Sequence, residues 1–241
     1  MNGILLVAGR DFRSYVNTAW GWAILALALF IDGLFFNFYA LTSTPRYSAE
    51  VLEDFFYLTG GVALTCAVFV TMRLFAEERQ TGTMVLLESS PLSETQIVLG
   101  KYLSGLAFML LFAVLTLYMP AMILKNGRVS FEEIAVGYLG VMLMGSAGIA
   151  IGTWASAIAR NQLLAGVVTA VIVVFFLACW RLAKVLDAPF NDLLSYVAFF
   201  DRQFKPFEEG RIHTESVVFF ASVTFAFLLL AMRSLVARRW E

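Results

Sequence analysis

Residues 134–158 read IAVGYLGVMLMGSAGIAIGTWASAI, a run without one charged side chain. A helix rises about 1.5 Å per residue, so a run of this length crosses the roughly 30 Å hydrocarbon core of a bilayer. Its Val and Ile content would also suit a buried strand, but strands rarely exceed about ten residues. Length decides for a membrane-spanning helix. Gly148, Gly152 and Ser156 recur within it at helical spacing, a small-residue series that lets another helix come close. The spacing leaves open whether that helix belongs to the same chain or to a second copy.

Outward from this run, five more stretches qualify on the same ground: residues 20–41, 55–75, 102–124, 163–180 and 216–232. Composition agrees. The 241 residues are 60% hydrophobic and 15% charged, against roughly 45–50% and about 25% in soluble domains. A soluble core of this size could not hide so much apolar surface. The expected fold is therefore an all-α integral membrane protein of six transmembrane helices, one domain over residues 1–241, with extramembrane loops at 76–101 and 182–215.

Ahead of the first span, Leu5, Ala8, Phe12, Tyr15 and Val16 share one helical face and Arg10, Arg13, Ser14 and Asn17 the other. Residues 1–18 read as an amphipathic elbow helix in the inner membrane interface, its arginines near lipid phosphates. The alternative is a frayed extension of the first span. With Arg10, Asp11 and Arg13 in its middle, the segment has no apolar stretch and cleavage site of a signal peptide.

An even number of spans places both termini on one side. Nine of the 17 Lys and Arg residues fall on that side and eight on the other, five of the eight in or beside one long loop. The short loops thus favour cytoplasmic termini, with 76–101 inside and 182–215 outside. Trp20 and Trp22 at the inner boundary and Trp180 at an outer one fit interfacial aromatic belts.

The residues exclude several chemistries. A net charge of −1 and the lack of a basic run give no nucleic-acid surface. Cys66 and Cys179 sit in apolar runs and read as small hydrophobes. His213 is the single histidine, and no H-E-x-x-H or G-x-S-x-G occurs. Gly100-Lys101 is followed by Tyr102 and lacks the upstream glycine of a phosphate-binding loop. Any ATPase activity therefore belongs to another polypeptide. Asp32 is the only charge well inside a span, where a carboxylate is costly. It stands either on a transport pathway or in the outer leaflet, near water together with Asn37.

The inner loop carries the most information. Residues 76–103 read AEERQTGTMVLLESSPLSETQIVLGKYL. Glu77, Glu78 and Arg79 end the second span, and Thr81-Gly82-Thr83 breaks its helix. A short apolar segment, Met84, Val85, Leu86 and Leu87, stops at Ser89-Ser90-Pro91, and Ser93 is placed to cap the next helix. An exposed greasy helix on the inner face invites a protein partner or the lipid surface.

The pattern E-x-x-x-G-T-x-x-x-L-x-x-x-P-L-S from Glu78 to Ser93, followed by Gly100-Lys101, resembles the coupling-helix signature of type-2 ABC exporter permeases. Gly152-Thr-Trp-Ala-Ser156 with Arg160-Asn161-Gln162 resembles that family's fourth-to-fifth-span junction. Residues 204–220, FKPFEEGRIHTESVVFF, resemble a pattern of the subgroup of gliding-motility permeases and permeases beside nitrous oxide reductase maturation genes. The chain departs from that subgroup at Glu215, Phe219 and Asp32, which bears on the cargo.

The resemblance implies a permease subunit in a bacterial cytoplasmic (inner) membrane. It would pair with a second permease copy or a homologous permease and with separate ABC ATPase subunits that bind ATP and Mg. This chain would bind no cofactor of its own. Residues 78–92 would be the lever: Glu77, Glu78 and Lys101 fix its orientation, Gly82, Thr83 and Pro91 shape it, and Met84, Leu86 and Leu87 fill a groove on the ATPase. In the outer loop, Phe190, Leu193, Leu194, Val197 and Phe200 share one face. The resemblance makes this a gate helix that Phe199, Phe200, Phe204 and Phe207 help to close, with plain lipid packing as the alternative. A rival function is a non-transporting scaffold that passes ATPase strokes to extracytoplasmic motility or envelope machinery through an auxiliary protein. An ion channel is disfavoured by the lack of polar rings in the spans.

Overall fold

The computed structural model describes residues 2–40, 47–84, 89, 92–127, 129–186 and 190–238. Among them every regular element is a helix: α1 (Asn2–Asn17), α2 (Ala19–Ala40), α3 (Ser48–Thr71), α4 (Ala76–Gln80), α5 (Glu94–Thr116), α6 (Tyr118–Asn126), α7 (Phe131–Ile158), α8 (Gln162–Ala183), α9 (Phe190–Val197), a π-helical turn (Phe199–Phe204), α10 (Lys205–Glu208) and α11 (Thr214–Arg238). Six helical stretches are long and apolar enough to cross a membrane: Ala19–Phe38, Ser48–Gln80, Glu94–Lys125, Phe131–Ile158, Gln162–Ala183 and Thr214–Ala237. The fold is the all-α, six-span membrane protein that the apolar runs indicate.

Helices α5, α7 and α8 start where side chains stand in for missing backbone acceptors. Ser93 accepts from the Gln96 amide while the Gln96 side chain accepts from the Ser93 amide. Ser130 and Glu133 repeat this reciprocal cap at α7, and Asn161 caps α8 through the Leu164 amide at 2.8 Å.

The fourth span, α7, is the axle of the bundle, packing against α3, α5, α8 and α11. Its glycines admit ridges from its neighbours. Gly137 faces the Phe56 ring, Gly140 faces Phe207 and Gly145 faces Met109. Gly148 lies against Leu64 and Ala67, and a Cβ on Gly152 would stand 1.9 Å from Thr71 Oγ1. The partner of the Gly148, Gly152 and Ser156 stripe is thus the second span of the same chain.

Helix α1 folds back on α5. Val7 is buried and meets the chain at Gly100, and the buried Tyr15 donates its hydroxyl to the Val70 carbonyl at 3.0 Å. Its apolar residues therefore divide. Tyr15 turns into the bundle, while Leu5 and Leu6 stay exposed. Gly21 allows the sharp turn into α2, since a Cβ there would meet the Tyr15 carbonyl oxygen at 2.1 Å.

On the opposite side, α9 and the π-helical turn lie over the ends of the spans. No residue of α9 is buried. Phe199, Phe204 and Phe207 are fully buried, with Phe199 stacked on Phe176 at 4.5 Å and edge-on to Phe219 and Phe220.

Candidate functional site: the inner junction and the lateral groove

The second span does not run straight into the inner loop. Its helix stops at Thr71, turns through residues 72–75 and resumes as α4. Around this break three elements meet. Lys101, from α5, is 1% exposed and sits beneath α1. Its ammonium pairs with Asp11 at 3.1 Å and with Glu78 at 2.9 Å, and donates to the Leu74 carbonyl at 2.5 Å. Arg10 adds bonds to Asp11 at 2.8 Å and to Glu78 at 2.7 Å. A buried ammonium is tolerated only when opposite charge and hydrogen bonds surround it. These do.

The electrostatics follow from the packing. Burial works against the charge on Arg10, but Asp11 and then Glu78 more than offset it and hold the guanidinium above its ordinary value. Tyr15 is pushed up, first by burial and then by the Asp11 carboxylate.

Glu77 joins a different pair. One edge of the Arg73 guanidinium reaches it through two nitrogens, Nε at 2.7 Å and Nη2, and Arg73 also lies over the Trp20 ring at 5.8 Å. Glu78 and Lys101 thus share one network, and Glu77 belongs to its neighbour. Beyond α4 the chain turns at Gly82, whose φ of +73° lies in the left-handed region open to glycine. Thr83 donates to the Glu78 carbonyl at 3.3 Å, and Met84 is buried. Leu86, Leu87 and Pro91 lie outside the described residues.

Sequence reading missed Arg10, Asp11 and Arg73 as members of this junction. Their signal was weak: Asp11 falls at the border of the polar face of α1, and its partner lies 90 residues away.

A second feature opens sideways. A groove of about 840 Å³ lies between α2, α3 and α8. Its walls are apolar over most of its length, from Trp20 at one end to Trp180, Arg181 and Asp201 at the other. Phe200 lines it and packs edge-on against Tyr57 at 4.9 Å. Phe199, Phe204 and Phe207 do not line it. Asp32 turns the other way: at 1% exposure it accepts from the Thr59 hydroxyl at 2.9 and 3.1 Å, between the first two spans. Asn37 is exposed. Among the described residues no three His, Cys, Asp or Glu side chains group closely enough to hold a metal ion.

Six apolar helices, with a charged junction at one end and a lateral groove, define a polytopic membrane protein. The family model described as ABC-2 family transporter protein matches residues 5–235. The chain belongs to that family, and is a permease component of an ABC transporter; membership implies partnership with an ABC ATPase in general. No curated protein matches the chain.

Proposed function

We propose that this chain is the subunit through which a separate ATPase drives export across a bacterial cytoplasmic (inner) membrane, with both termini in the cytoplasm. The observation that carries this reading is the buried Lys101 network. A merely solvated loop has no use for an ammonium with three partners, and desolvating one is costly. A segment that bears load does. The network makes α1, α4 and α5 a single footing at Glu78, and an ATPase would seat Leu86 and Leu87 further along the lever, Met84 being packed into the bundle instead.

ATP and Mg would bind the ATPase, with no cofactor on this chain. ATP can shift the bundle only by its differential affinity for two states. A second permease copy, or a homologue, would complete the pathway. The lateral groove supports a route for cargo, and Phe200 at its outer end is the residue of the four phenylalanines best placed to gate it. The residue pattern at 204–220 supports the gliding-motility and nitrous-oxide-reductase-maturation subgroup, in which an extracytoplasmic auxiliary protein would meet the outer loop.

The test is co-purification in mild detergent. An ABC ATPase is expected to come down with the chain, and its rate to change on Leu86→Asp or Leu87→Asp. Absence of any nucleotide-binding protein sinks the reading. Flux of a labelled lipid, glycan or peptide supports export, whereas ATPase coupling without flux favours a mechanical scaffold.

A further inference from the structure

The break at residues 72–75 is closed by a side chain from another helix. Ser156, on α7 and fully buried, offers its hydroxyl oxygen to two successive amides, Phe75 at 3.0 Å and Ala76 at 3.1 Å. The first amides of a helix have no acceptor within it. Here the residue ahead of α4, Phe75, makes no side-chain cap. The fourth span caps the lever root instead.

Two more contacts follow the same edge of α7. Gly152 is filled by Thr71, the last residue of α3. At the end of α7, the Ala159 carbonyl accepts from Arg79 Nη1 at 2.8 Å. Beside them Ala76, Ala159 and Ala165 form a small buried cluster with Met72 packed on it, which joins α4 to the start of α8. The two sides of α4 are therefore held differently. Towards α1 and α5 it is held by side-chain ion pairs. Towards α7 and α8 it is held at its own backbone amides, by Arg79 on the Ala159 carbonyl and by close-packed small residues.

The geometry points to a joint: Ser156 is a positioning residue that makes the root of the lever move as one body with the fourth span and the turn into the fifth. A displacement of α4 is then handed to α7 and α8, whose groove-facing neighbour is α3, and is not absorbed by bending at residues 72–75. Removing the hydroxyl strands two buried amides, and the break becomes a free hinge. This inference rests on the proposed seating of an ATPase on residues 78–92.

Two measurements test it. The first is made on the isolated chain in lipid nanodiscs, spin-labelled at Gln80→Cys and Arg160→Cys, two exposed positions, while Cys66 and Cys179 are buried. The second is the ATPase rate of the co-purified complex. Ser156→Ala should broaden the distance distribution between the labels. It should leave the amount of bound ATPase and the KM for ATP unchanged, and move kcat about threefold or more towards that of the ATPase alone. A wild-type distance distribution together with a wild-type kcat overturns the joint. If Ser156→Ala does not accumulate, Arg79→Gln at the inner surface decides by the same two readouts. If the wild-type chain brings down no ATPase, the proposed function fails, while the distances in the isolated chain still decide for or against the joint.

Discussion

Without its ammonium, Lys101 would leave Asp11 and Glu78 facing one another under α1 with only Arg10 between them. Breaking a buried ion pair by removing one partner costs about 3–5 kcal/mol. Lys101→Met is therefore expected to lower the thermal unfolding midpoint in detergent sharply, and pairing it with Asp11→Asn should recover part of the loss. A Lys101→Met midpoint equal to wild type would show that the pair contributes nothing. Glu208 gives a pH signature of its own. Burial first, then the charges of Glu53, Asp201 and Glu209, push its carboxyl up to about 8, while Lys205 pulls the other way. Among the described residues its buried Oε1 has no hydrogen-bond partner. The folded chain thus holds this proton more tightly than the unfolded chain, and stability falls as pH rises from about 4.5 towards about 8. Glu208→Gln should flatten the unfolding midpoint between about pH 5.5 and about pH 8.5. A slope as steep as wild type would assign the effect to other groups.

Helix contacts give a cleaner contrast. Gly152 has no room for a methyl group against Thr71, whereas Gly9, on the open side of α1, has nothing within 4 Å. Overpacking a tight contact costs about 1–3 kcal/mol, so Gly152→Ala should destabilise the chain and Gly9→Ala should not. Matching losses, read by thermal unfolding, would remove the close packing of α7 on α3. These two helices also show what a sequence discloses. The stripe of small residues was visible at helical spacing, yet spacing alone could not say that α3 fills it. Hydropathy located each span but not its ends. Helix α3 begins at Ser48 and carries Glu50, Glu53 and Asp54 before its apolar part, because hydropathy marks contact with hydrocarbon and not helicity. The cap at Ser93 was legible because it is local, while the reciprocal bond from Gln96 came only with the fold. The pairing of Lys101 with Asp11 was not, since nothing in a helical pattern names a partner on another helix.

For the molecule as a whole, sidedness is the property on which lever and groove both depend. A membrane-impermeant maleimide should label Arg211→Cys in intact cells, and Gln80→Cys only once the cells are opened. The reverse result would put residues 78–92 outside and end the ATPase reading. The contact between Asp32 and Thr59 also bears on how the protein is made. A carboxylate at the centre of an inserting helix costs about 2.5–3.5 kcal/mol in translocon measurements, and the hydroxyl that meets it is synthesised 27 residues later. The span that carries Asp32 is thus less suited to enter lipid alone than its apolar residues would make it. It would wait beside the insertion machinery until the next segment arrives, and the two would partition as a hairpin.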